Sequence, residues 1–161
     1  MLTVVILLSA CTRPPESNHN GATRNEAAPV ASEARDPEGN TPLLVEVNKG
    51  DAEGVKKLID SGAQVNAASG SGVTPLMNAA GMGKKEILQM LIDKGADVNA
   101  KTPSGYTALM SASLNGQQEI VKMLVASGAD PKMKDIGNKT AADYAAEHNH
   151  KEIVDFLNQK R

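Results

Sequence analysis

The sequence is poor in the residues from which most small functional sites are built. It has one cysteine, no tryptophan, and only Phe156, Tyr106 and Tyr144 as other aromatics. One cysteine cannot close an internal disulfide, so it points to neither an oxidising nor a reducing compartment. Three aromatics are too few for a platform that stacks bases, and a formal charge of −2 leaves no basic footprint. No nucleic-acid partner is therefore expected. Long apolar runs are missing too. The one run, Leu2 to Ala10, at ~1.5 Å per residue reaches about half of a ~30 Å hydrocarbon core. What remains for a core is Ala, Leu, Ile, Val and Met, which suits closely packed helices. With 161 residues there is room for one domain of ordinary size.

The apolar run ends in Ser9 and Ala10 and stops at Cys11, after which the chain turns polar and proline-bearing. Its length fits the apolar region of a secretory signal. Cys11 is open to three readings: a core residue, a reactive thiol, or a point of attachment. The stretch Leu8-Ser9-Ala10-Cys11 resembles a bacterial lipobox, and no Lys or Arg precedes the run. That resemblance implies a signal peptide over 1–10, lipidation of Cys11 and a membrane partner reached through the lipid. Thr12 is not the Asp that holds such proteins at the inner membrane, so the resemblance favours the outer membrane, facing the periplasm. Residues 12–35 show no periodic apolar pattern and carry Pro14, Pro15 and Pro29. They bury too little apolar surface to offset their ordering entropy and read, with Cys11, as a tether over 11–35. For ~24 residues its r.m.s. reach is about 25–30 Å.

From residue 36 the chain repeats. Thr41-Pro42-Leu43 returns as Thr74-Pro75-Leu76, Thr107-Ala108-Leu109 and Thr140-Ala141-Ala142, each 33 residues on. Ser61-Gly62-Ala63 returns as Lys94-Gly95-Ala96 and Ser127-Gly128-Ala129, and Gly50, Gly83 and Gly116 keep the same interval, with Asn149 in the fourth place. At the turn, Gly39, Gly72 and Gly105 give way to Asn138. Asn is the residue that best replaces Gly in the left-handed conformation, so both exceptions support a backbone role. Threonine is a helix N-cap and the following Pro suits a first helical turn. Ala79 and Ala80 make a thin helix face, and Glu86–Ile92 carries an apolar stripe at helical spacing.

A 33-residue period opening on TPL resembles the ankyrin repeat. The resemblance runs from Asp36 onward in four units, 36–68, 69–101, 102–134 and 135–161. It implies an all-α solenoid of helix–turn–helix units joined by β-turn or hairpin loops. The His that follows TPL in the family is absent, its place taken by Leu44, Met77, Met110 and Asp143. Glu46 and Lys57 in the first unit, and Asp143, Asp155 and residues 158–161 in the last, read as polar caps on a complete stack. With the packed domain accounted for beyond residue 35, Cys11 is left out of the core, and no basic neighbourhood activates it as a thiol. Attachment remains.

Catalysis finds little footing. His148 and His150 lie two apart at a helix end and are expected to point to different sides. Glu53, Glu86, Glu119 and Glu152 share one repeat position, as acids in a helix first turn do. The glycine-rich stretch 69–74 lacks a phosphate-loop lysine. No enzyme activity, metal or cofactor is expected. In the family, partners meet the loop tips and the exposed side of the first helices. Carried onto this register, the tips are Glu38 and Asn40, Ser71 and Val73, Ser104 and Tyr106, Gly137 and Lys139. The helix positions are Asn48 and Lys49, Gly81 and Met82, Leu114 and Asn115, Glu147 and His148. Val73, Met82, Tyr106, Leu114 and Ile136 are apolar where solvent is expected, with Lys101, Lys134 and Lys139 nearby in register. An exposed apolar patch rimmed by charge suggests a protein interface with Tyr106 as anchor; the alternative is that Val73 and Leu114 pack between units. The expected function is protein binding at the envelope. Two other roles stay open: an immunity protein or inhibitor of a secreted toxic enzyme such as a phospholipase, and a small-molecule or haem-handling accessory to an envelope enzyme, for instance one of peroxide defence, for which His148 with Met82 is the only support.

Overall fold

The computed structural model describes residues 34–160. Its helices, all α, come in pairs: α1 (Pro42–Lys49) with α2 (Ala52–Asp60), α3 (Pro75–Gly81) with α4 (Lys85–Asp93), α5 (Ala108–Leu114) with α6 (Gln118–Ala126), and α7 (Ala141–Glu147) with α8 (Lys151–Asn158). No strand occurs among the described residues; the loops are turns rather than hairpins. The odd-numbered helices pack in series as one layer and the even-numbered helices as a second, looser one.

Each first helix starts the same way. Thr41, Thr74, Thr107 and Thr140 are extended residues whose hydroxyls accept the N–H of Leu44, Met77, Met110 and Asp143, at 3.2–3.4 Å. Such caps contribute about 1 kcal/mol each. In the fourth unit Asp143 completes the box, its carboxylate accepting the Thr140 N–H at 2.8 Å. The layers are held by small residues against large ones. Ala79, Ala112 and Ala145 are fully buried and let neighbouring first helices approach, while Leu88, Leu91, Val121 and Leu124 fill the space between layers. Burying a side chain of that size stabilises by roughly 1.5–3 kcal/mol, and most of that burial depends on a neighbouring unit.

The second helices α4, α6 and α8 have no side-chain cap; Lys84, Gln117 and His150 stand at that position. These side chains instead lie over Gly50, Gly83 and Gly116 of the preceding unit, so close that a Cβ there would collide with them. His150 adds a hydrogen bond from its ring Nε2 to the Leu114 carbonyl at 3.2 Å. A second link uses asparagine. Asn66 donates to the Gly95 carbonyl at 3.2 Å and accepts the Asp97 N–H at 2.8 Å. Asn99 does the same one unit on, to Gly128 and from Asp130, at 2.9 and 2.8 Å.

Candidate protein-docking surface

The loop tips are five-residue turns closed by one device. The first residue is Asp36, Ser69, Thr102 or Asp135, and its side-chain oxygen accepts the N–H of the fifth, at 2.7, 3.2, 3.1 and 2.8 Å respectively. Its backbone N–H reaches the carbonyl of the same fifth residue, at 2.8–3.1 Å. The fourth residue has φ between 62° and 83°, as Gly39, Gly72, Gly105 or Asn138. Double closure fixes the tips as a row of rigid corners. Adjacent corners also touch: Ile136 donates its backbone N–H to the Ser104 carbonyl at 2.9 Å.

The apolar residues expected at solvent-facing positions separate into two groups. Met82, 43% exposed, and Ile136, 83% exposed, face solvent. Val73, Tyr106 and Leu114 are half-buried, and Val73 and Tyr106 pack against the core. Tyr106 lies edge-on to Tyr144, with ring centroids 5.4 Å apart, and burial pushes its hydroxyl pKa up. It is a wall of the surface more than a projecting anchor. Lys101 and Lys134 are exposed and Lys139 is half-buried.

Around Tyr144 the fourth unit carries a polar cluster. The Tyr144 hydroxyl donates to Asp135 at 2.6 Å, which pushes its pKa up to about 12 and holds the Asp135 carboxyl below its usual range. Lys139 pairs with Glu147 at 2.7 Å and sits 5.6 Å from the centre of the Tyr144 ring. Its own pKa is raised, first by the hydrogen bond to Glu147. Sequence reasoning missed Asp135 and Tyr144. The signal for Asp135 was available in the recurrence of Asp, Ser, Thr and Asp at one repeat position, where the chemistry is constant and the residue is not.

The match to known families decides the identity of the fold. The profile described as "Ankyrin repeats (3 copies)" matches the chain over residues 19–102, 43–135 and 103–161. The chain belongs to the ankyrin repeat family. A comparison with curated protein sequences finds no match. The ankyrin repeats indicate a protein-interaction module, of a family that is typically non-enzymatic.

One expectation about histidine is corrected by the geometry. His148 and His150 do not point apart: their rings lie face to face, 17° from parallel with centroids 6.4 Å apart. The cause is Asn149, whose φ of 60° reverses the chain between them. His148 Nδ1 lies 3.1 Å from the Tyr144 carbonyl. Met82 and His148 hold the same place in the second and fourth units, at the C-terminal caps of α3 and α7, with the third unit between them. Joint ligation of a haem therefore has no geometric support. Among the described residues no group of three or more His, Cys, Asp or Glu is placed to hold a metal, and no helix is long and apolar enough to cross a membrane. Cys11 and the segments expected to be a signal peptide and a tether lie, up to residue 33, outside the described residues.

Proposed function

We propose that this protein is an ankyrin module that binds another protein in the periplasm while a lipid on Cys11 holds it to the bacterial envelope, at the outer membrane. The observation that carries the binding half is Ile136, an isoleucine left 83% exposed on a corner fixed by backbone hydrogen bonds at both ends of its turn. A large apolar side chain exposed on a fixed backbone leaves apolar surface to be buried on docking and little backbone to be ordered. Met82 extends the surface along the first helices, with Leu114 and Tyr106 as its half-buried floor. Val73, Lys101, Lys134 and Lys139 form its margin. The anchoring half rests on Leu8-Ser9-Ala10-Cys11 and on the polar stretch that follows.

Each half has its own test. Metabolic labelling with a lipid analogue should mark the wild type and miss Cys11→Ser; equal labelling of both removes the anchor. Met82→Ala with Ile136→Ser should leave the helical circular dichroism signal and thermal midpoint in place and weaken capture of an envelope partner about tenfold or more. Unchanged capture by a folded double variant removes the surface.

A further inference from the structure

We propose that the tips of the third and fourth units bind an acidic segment of the partner protein, with an apolar side chain of that segment seated against Ile136. This rests on the protein-binding reading above and adds the chemistry of the partner.

The carboxylates nearest these tips keep their charge, but each already accepts hydrogen bonds from the protein itself. Asp130 accepts the Lys132 N–H at 2.8 Å. Asp135 takes the Lys139 N–H and the Tyr144 hydroxyl, Asp143 takes the Thr140 N–H and hydroxyl, and Glu147 pairs with Lys139. The lysines are placed otherwise. Lys101, Lys132 and Lys134 are exposed and make no salt bridge among the described residues; Lys134 donates only to the Asn138 side chain, at 3.0 Å. With a Debye length of about 8 Å, a docking chain responds to the groups it meets first. At the cleft of the fourth unit three ammonium groups, those of Lys132, Lys134 and Lys139, stand against the one carboxylate of Asp143.

Shape selects a chain over a surface. Lys132, Lys134 and Lys139 border an open cleft of about 570 Å³, floored by Thr140 and Asp143. A bilayer is flat on this scale and would not fill the cleft. A carboxylate on a flexible side chain can enter the cleft while a neighbouring apolar residue lies on the isoleucine. Charge gives such a contact its orientation and rate, and the apolar anchor its residence time.

A random peptide library displayed on phage, selected on the full chain, tests the proposal. Recovered peptides should be rich in Glu or Asp around an aliphatic or aromatic residue. Their affinity should fall about tenfold for the Lys101→Gln, Lys132→Gln, Lys134→Gln variant, several-fold for Ile136→Ser, and steeply with added salt. All four side chains are exposed, and a circular dichroism melt checks that the variants remain folded. Enrichment of neutral or basic peptides, or affinity that ignores the three lysines, overturns the acidic partner and leaves protein binding standing. Recovery of no peptide overturns the acidic partner, and protein binding falls with it if the envelope capture above also fails. Vesicles of phosphatidylglycerol form the last arm: binding to them that depends on the lysines and competes with the selected peptides assigns the patch to lipid and overturns the proposal.

Discussion

The inner joints of the stack and its two ends follow one 33-residue plan, yet the ends depart from it where a neighbouring unit would press. Gly105 has the backbone of the next turn against it: a Cβ there would lie 2.9 Å from the Asp135 Cα. Asn138 holds the same place in the fourth unit with φ of 62°, and no described unit follows it. Asn149 likewise replaces Gly50, Gly83 and Gly116, each of which lies under a side chain of the unit that follows. At the other end Glu46 stands where Ala79, Ala112 and Ala145 are fully buried, and is itself partly exposed and paired with Lys49 at 2.7 Å. The repeat therefore superposes two demands. The turn requires a residue that tolerates positive φ, and the joint requires that this residue have no side chain. Only where the joint ends can asparagine meet the first demand alone.

The largest effect should come from putting an end residue into a joint. Ala112→Glu buries a carboxylate between α3, α5 and α7 with no cation to meet it, at a cost of about 3–5 kcal/mol. The four-unit domain should lose its cooperative melt at ordinary temperature. Glu46→Ala, the reverse exchange, should move the midpoint little, because its pair with Lys49 is a surface one. Comparable losses at the two positions would show that the ends are packed like the joints.

The next effect separates the two demands on glycine. Gly105→Asn keeps a residue that accepts the turn and adds a Cβ the joint has no room for. It should cost about 1–3 kcal/mol, read by denaturant melts. Asn138→Gly should lie within about 0.5 kcal/mol of the wild type. If Gly105→Asn is as mild as Asn138→Gly, contact between units has no part in the choice of glycine.

Much of this plan was legible in the sequence because local physics dictates it. Threonine before Pro or Ala, glycine at fixed intervals and alanine pairs each answer to a cap, a left-handed turn or a close helix approach within about one unit. Other features were not legible, for reasons that can be named. The corner-closing position changes among Asp, Ser and Thr, so a search by residue identity passes over it. The burial of Tyr106 is set by Tyr144 in the next unit, and register alone does not say how far one ring covers another. The stacking of His148 on His150 depends on the turn at Asn149, although that residue had already been read as left-handed. The docking surface was legible as a location, through the family, but which of its apolar residues project was not.

A smaller effect concerns the asparagine links. Asn99→Ala removes a donor to Gly128 and an acceptor from Asp130, both exposed, and should cost about 1 kcal/mol. Lys132 occupies the same position one unit on, and an ammonium cannot accept an N–H, so Lys132→Ala should leave the melt unchanged. Equal responses would mean that the link is a decoration of the loop and no part of the joint.

The smallest effect lies in the cluster that only the last unit has. Tyr144 has a pKa of about 12 in the folded chain against an ordinary value of 10.0. Its bond to Asp135 therefore contributes fully below pH 10, where the phenol is protonated in both states. As pH rises from about 10 toward 12 the unfolded chain ionises first, and the contribution is lost. Asp135 mirrors this at the acid end. Its folded pKa lies below the ordinary 3.8, so its share is present above that value and lost as pH falls through the folded one. The bond thus serves over the whole interval between. With no tryptophan in the chain, absorbance of tyrosinate reads both phenols cleanly. One should titrate near 12 in the native protein and move down in Asp135→Asn, while the half-buried Tyr106 stays above 10 in both. Native titration of both tyrosines at the ordinary value would mean that the Tyr144–Asp135 bond does not form in solution. The fourth unit would then be set apart from the inner ones by its Asp143 cap, its Lys139–Glu147 pair and its two asparagines, and not by that bond.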